Sequence, residues 1–283
     1  MSLIELELAL AQVLTDADYL ARFLVDKKEA LAGFELSPAE IAAITGIDDD
    51  RLRGYSNLLL RTRIELGLRA FPRVRKLLGP DFVSRYGAEY ARTFPLGPAS
   101  GQSPVFVEFR SLLTFLEQHA SRLETEIPFF GDTLQYDATM FVLGNDPDIA
   151  NEVHRFERHY RPLLDSDDTA NVMPLRSPGT LIRTFTIDIL SETDRQTSTA
   201  SDELSHLLFY KTARDVAVRL TRVNDATKCA LELCDGRTPI HQIADGVARQ
   251  VGLGETVENV RACIAMCQAL SARGVIGVRT TWE

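Results

Sequence analysis

Leu207-Leu208-Phe209-Tyr210-Lys211-Thr212-Ala213-Arg214-Asp215-Val216-Ala217-Val218-Arg219-Leu220-Thr221-Arg222-Val223 decides the fold. Two runs rich in apolar residues, Leu207–Tyr210 and Val216–Val223, flank the short segment Lys211–Asp215, a pattern that predicts a β-hairpin. Upstream, Leu181-Ile182-Arg183-Thr184-Phe185-Thr186-Ile187-Asp188-Ile189-Leu190 alternates and is β-branched, so it reads as a third strand, separated from the hairpin by a polar loop from Ser191 to Glu203. Downstream the period changes to that of helices, over Asp225–Cys234, Pro239–Val251 and Thr256–Arg273. Val275-Ile276-Gly277-Val278 is a candidate last strand.

The first part of the chain is helical throughout. Leu6, Leu10, Val13 and Leu14 form one apolar stripe, Tyr19, Phe23 and Leu24 another, and Leu58, Ile64, Leu66 and Leu68 continue it. Ser37-Pro38-Ala39-Glu40 carries the signature of a capping box, and Gly79-Pro80 ends the helix that holds Val74, Leu77 and Leu78. A Gly/Pro/Ser cluster from Leu96 to Pro104 interrupts the pattern before Phe106, Phe109, Leu112, Leu113 and Leu116 resume it. The expected fold is therefore α+β: an N-terminal helical bundle over 1–165, a linker over 166–179 that begins within the acidic Asp165-Ser166-Asp167-Asp168, and a small winged-helix-like domain over 180–283. That domain combines a three-stranded antiparallel sheet with three helices.

Charge narrows the partners. The chain of 283 residues carries a net −9, and 8 basic against 16 acidic residues between Leu96 and Thr199 account for nearly all of it. Such a surface disfavours nucleic acid and anionic membranes unless positive charge is gathered locally. The N-terminus has no basic segment ahead of its apolar residues, no run approaches the length of a membrane span, and four cysteines without a secretory signal suit a reducing compartment; a cytoplasmic location is expected.

Candidate chemistry is sparse. Among His119, His154, His159, His206 and His241 none begins an H-x-D or H-x-E pair, and only Glu203 and His206 have E-x-x-H spacing, once. Cys229 and Cys234 lie on different helical faces, whereas Cys263 and Cys267 share one with Val260 and Leu270, which suits a helix–helix contact. There is no G-x-S-x-G, no Walker lysine, and Gly252-Leu253-Gly254 lacks the third glycine of a dinucleotide loop. No catalytic or metal-binding residue is assigned. Arg61, Arg63, Arg69, Arg73, Arg75 and Lys76, opposed only by Glu65, are either a solvated helical face or a contact for a protein or phosphate. A winged-helix DNA reader is the alternative for the C-terminal domain, but Ser201–Glu283 holds 10 basic and 10 acidic residues, and its middle helix carries only Arg249.

The second hairpin strand is a candidate edge. An edge offers unpaired N–H and C=O groups to an incoming extended peptide, and the helix Thr256–Arg273 would supply side-chain pockets; equally, Lys211, Arg219 and Arg222 would blunt such an edge for solubility.

Here a resemblance enters. Leu207–Tyr210, Val216–Val223, Asn224-Asp225-Ala226, Ala230-Leu231-Glu232-Leu233-Cys234-Asp235-Gly236-Arg237-Thr238 and Ile240…Ile243-Ala244 resemble the peptide-recognition element of ribosomal peptide natural-product biosynthesis, over about Thr180 to Val278. Tyr55…Asn57…Ala70-Phe71-Pro72-Arg73-Val74-Arg75-Lys76-Leu77-Leu78-Gly79-Pro80-Asp81-Phe82 and Tyr90-Ala91-Arg92-Thr93-Phe94-Pro95 are similar to the helical companion subunits of multinuclear non-haem iron oxidases, over about Leu3 to Leu143. The combination is most similar to the thiaglutamate-biosynthesis companions. The resemblance implies a non-catalytic subunit without a cofactor of its own. It would bind a precursor (carrier) peptide and present its C-terminal cysteine to an iron-bearing TIM-barrel oxidase, which excises the β-carbon. It implies peptide contacts from Val216, Ala217, Val218, Arg219, Leu220, Thr221 and Arg222 on the strand and from Val260, Ile264 and Cys267 on the last helix. Arg61, Arg69 and Arg73 are the residues expected to meet the oxidase, in a heterodimer with no nucleic-acid or membrane partner.

Overall fold

A computed structural model describes residues 3–95, 103–163, 169–190, 204–252 and 256–279. Most of the Leu96–Pro104 cluster, the acidic 165–168, the polar 191–203 with Glu203, and Leu253-Gly254 lie outside the described residues. The chain divides into two compact units, Met1–Gly131 and Asp132–Glu283. Among the described residues there are fourteen α-helices and two three-stranded antiparallel sheets, an α+β fold with a helical N-terminal part. No helix among them is long and apolar enough to cross a membrane.

The first unit contains α1 (Leu3–Thr15), α2 (Ala17–Val25), α3 (Lys27–Ala30), α4 (Pro38–Thr45), α5 (Asp49–Leu68), α6 (Pro72–Leu78), α7 (Phe82–Thr93), α8 (Pro104–Gln118) and α9 (Ala120–Glu126). The capping box forms as expected: the Ser37 hydroxyl accepts from the Glu40 amide at 3.3 Å while the Glu40 carboxylate accepts from the Ser37 amide at 2.8 Å. The Ser37 hydroxyl also donates to the half-buried Glu40 carboxylate at 2.6 Å, and this bond first, then the one from the Ser37 amide, holds that carboxyl below its ordinary range. Val13, Phe23, Leu31, Ile44 and Leu52 close one core cluster. A second layer stacks Phe71 on Phe109 at 5.2 Å and sets Tyr90 edge-on to Phe115 at 5.5 Å. Gly67 lets α5 and α8 approach, because a Cβ there would sit 3.0 Å from both the Glu108 carbonyl and a Leu112 methyl.

The second unit runs α10 (Phe130–Asn145, whose first two residues fall in the first unit), α11 (Pro147–His159), β1 (Tyr160–Arg161), β2 (Pro174–Arg176), β3 (Thr180–Phe185), β4 (Ser205–Tyr210), β5 (Arg219–Val223), α12 (Asp225–Leu233), α13 (Ile240–Gln250), α14 (Val257–Ala272) and β6 (Ile276–Arg279). One sheet is ordered β3-β4-β5, with Leu181 opposite Phe209 and Phe209 opposite Leu220. β4 is buried on both faces, which is why Leu207–Tyr210 is continuously apolar. Leu208 and Tyr210 join Leu231, Ile243 and Cys267 under the three last helices. Phe209 turns the other way, to Tyr136 of α10 at 5.6 Å and Phe185 at 6.3 Å. Leu207, Leu208 and Phe209 are each fully buried, worth about 1.5–3 kcal/mol apiece in transfer from water.

Several boundaries differ from the expectation. The compact division falls at Gly131–Asp132 rather than at 165, since α10 packs beneath the sheet. Within the expected linker, β2 pairs with β6, so Val275–Val278 does supply a strand, but in a separate sheet ordered β1-β6-β2. β3 stops at Phe185 because the Thr186 amide and hydroxyl donate to Asp132, at 2.7 and 2.8 Å, instead of continuing the ladder. β5 starts at Arg219, not Val216. The Thr212 amide and hydroxyl donate to Asp215, which also pairs with Arg219, and this local turn lengthens the hairpin connection. Burial alone would raise the Asp215 carboxyl, but those hydrogen bonds outweigh it and hold it below the usual range.

Candidate peptide-binding groove

β5 is paired with β4 on one side, and among the described residues no backbone group of Arg219–Val223 has a backbone partner on the other. An antiparallel strand turns alternate residues outward, so this edge presents free donors and acceptors along its length. Directly after it, Asn224 caps α12 by accepting from the Thr227 amide at 2.9 Å, which stops the strand and fixes where the helix begins.

Beside the edge lies a groove of about 290 Å³ lined by Thr221, Arg222, Val223, Asn224 and Thr227 on one wall and by Met266, Ala269 and Leu270 of α14 with its C-cap Arg273 on the other. No carboxylate lines it. Its floor is apolar and its rim cationic, although Arg222 also pairs with Asp188. The lysine at the far end of the hairpin connection, Lys211, donates to the Gly144 carbonyl at 2.9 Å, and the Ala213 amide donates to Glu157 at 2.7 Å; both anchor the connection on α10 and α11.

The residues expected to touch a peptide separate into three groups. Arg219, Leu220, Thr221 and Arg222 stand on the edge strand. Val216, Ala217 and Val218 precede it in the hairpin connection, with Val216 98% exposed at the tip. On α14, Cys267 is fully buried and cannot meet a ligand, while Val260 and Ile264 pack against the same core. The groove wall is instead the Met266–Ala269–Arg273 stripe, at helical spacings of three and four residues. That stripe adjoins the apolar one along the helix, and its sequence signal is only a methionine and an alanine in register with an arginine.

All four cysteines are buried and free. The hydrogen bond with Cys234 and then burial push the Cys267 thiol up to about 12 against a lowering contact from Cys263. Cys263 is raised by its bond to Cys267 and by burial, and Cys229 chiefly by burial. They act as small apolar residues of the core. Among the described residues no group of three or more His, Cys, Asp or Glu is placed to hold a metal ion. Several histidines make structural bonds: His119 with Glu89 at 3.1 Å, His206 between Thr184 at 2.8 Å and Asp225 at 2.6 Å, and His241 with the Ala170 carbonyl at 3.1 Å.

In the helical unit the basic cluster also divides. Arg63 is buried on Glu108 and is no part of a solvated face. Arg61 and Arg69 line a cleft of about 1170 Å³ between α5, α6 and α7, together with Arg75 and Lys76, while Arg73 is half-buried and outside its lining. No protein-family model matches the chain, and no curated protein matches it either.

Proposed function

We propose that this chain is a non-catalytic partner subunit which captures a ribosomally made precursor peptide at the edge of β5 and presents the peptide's C-terminal cysteine to an iron-dependent TIM-barrel oxidase. The observation that supports it most is the pairing of an open strand edge with an apolar, carboxylate-free groove along α14. Backbone hydrogen bonds to β5 give affinity to any extended segment; the groove selects those with an apolar side chain at every second position. The helical unit is assigned the contact with the oxidase, through Arg61, Arg69 and Arg73. Holding the peptide on one subunit raises its effective concentration at the other's reacting centre, which favours turnover without any chemistry in this chain.

Co-expression of the tagged chain with a barrel oxidase and a candidate precursor peptide tests the reading. The expected result is a complex in which iron travels with the barrel subunit and the peptide's terminal cysteine is shortened only when both subunits are present. Shortening by the barrel subunit alone at the same rate, or by this chain alone, contradicts it.

A further inference from the structure

The cleft between α5, α6 and α7 concentrates positive charge on an otherwise acidic protein. Arg61, Arg69, Arg75 and Lys76 face it with Glu65 as the sole carboxylate, and Glu65 is already engaged by Arg75 at 2.6 Å. Arg61, Arg69 and Lys76 have no ion pair among the described residues. The half-buried Leu60 and Val83 line it too, with the buried Leu68 and Phe82, so the cleft suits a ligand that offers carboxylates and apolar groups together. At about 1170 Å³ the cleft exceeds the ~300–1,000 Å³ of ordinary small-molecule sites. The same helix α5 leaves Tyr55, Leu58 and Leu59 57%, 59% and 38% exposed, at spacings that put them on one face. These three side chains do not line the cleft, but they extend the apolar surface that α5 offers a protein.

We propose that this cleft is the docking site for an acidic segment of a partner protein, one that alternates glutamates or aspartates with leucine-like residues. The assignment deepens the docking role given above to the helical unit and rests on that reading only for which protein supplies the segment. The ligand chemistry follows from the cleft itself: guanidinium groups grip carboxylates bidentately, and the apolar floor takes the intervening side chains.

The test uses the full chain and a fluorescein-labelled synthetic peptide in which glutamates alternate with leucines at helical spacing, followed by fluorescence anisotropy. Binding is expected to weaken with added salt and to fall roughly tenfold or more in Arg61→Glu/Arg69→Glu/Lys76→Glu. Glu65→Gln, which frees Arg75, is expected to tighten it, a change no loss of folding can imitate. Thr221→Pro on β5 is expected to leave it unchanged, which separates this cleft from the peptide groove. Indifference to all the cleft substitutions overturns the proposal. Equal binding of inorganic pyrophosphate, competing at the same concentration as the peptide, overturns it in favour of a small-anion site.

Discussion

Inside the helical unit the guanidinium of Arg63 meets the carboxylate of Glu108 at 2.8 Å, with the two side chains only 11% and 7% exposed. Arg63 also donates to the Phe94 carbonyl at 2.7 Å, and the second Glu108 oxygen accepts from the Tyr90 hydroxyl at 2.6 Å. Burial first, and then the bond to Glu108, raise the Tyr90 hydroxyl well above its ordinary range, so it stays a donor across all working pH. The network ties α5, α7 and α8 together, and among the described residues no buried side-chain nitrogen or oxygen lacks a hydrogen-bond partner.

Removing one partner of that pair should therefore be costly. Glu108→Ala leaves a buried guanidinium without its counter-charge and is expected to destabilise the helical unit by about 3–5 kcal/mol. The double change Arg63→Met/Glu108→Leu should cost less than Glu108→Ala alone. Thermal melting of the three proteins checks the order; equal stability of Glu108→Ala and the parent contradicts it.

Precursor capture should depend on the groove stripe and not on the hairpin tip. Ala269→Asp places a carboxylate in the apolar channel beside β5 and is expected to weaken peptide binding at least tenfold, a loss of about 1.4 kcal/mol. Val216→Ser, at a side chain that is 98% exposed and ahead of the strand, should change it little. Isothermal titration of both variants with the same precursor peptide separates the two positions.

The cysteines should be inert while the fold persists. Cys229, Cys234, Cys263 and Cys267 are all buried, so a thiol reagent such as Ellman's should modify none of them in native protein and all four after denaturation. The folded-state value for Cys267 lies above that of an unfolded thiol, so the native state holds its proton more tightly. Its contribution is complete below the ordinary value of 9.0 and is lost as pH rises from there towards about 12. In that window urea stability should fall by as much as ~1.4 kcal/mol per pH unit for each group so shifted. Stability that is flat or rising from pH 9 upward contradicts the assignment.

Much of this architecture is legible in the residues, and the remainder is not for identifiable reasons. Each of the three last helices begins and ends within one residue of its expectation, because Asn224 and Thr256 are true N-caps and apolar periodicity marks the interior. β4 is legible for the opposite reason, a run with no polar face. The unit boundary is hidden, since a helix such as α10 reads alike whether its apolar face meets helices or a sheet. The Arg63–Glu108 pair is hidden as well: its members are 45 residues apart, and Arg63 in sequence looks like one more member of a basic face. The groove wall on α14 is hidden because apolar spacing finds the core stripe, on which Cys267 sits, and the groove-lining residues adjoin it without the same signal.

Because α10 packs on the sheet that carries β5, the unit that holds this sheet should be separable at Gly131–Asp132 and not at Thr180. Residues 132–283 expressed alone are expected to melt cooperatively and to bind the precursor as tightly as the whole chain. Residues 180–283, which lack Tyr136 beneath Phe209, should be markedly less stable.

Amide hydrogen–deuterium exchange with and without a candidate ribosomal precursor peptide tests the central claim most directly. Strand addition at the open edge predicts slowed exchange at Arg219–Val223, with accompanying protection from Met266 of α14 to its C-cap Arg273. A peptide that binds while those amides exchange as before, or one that does not bind at all, contradicts the account.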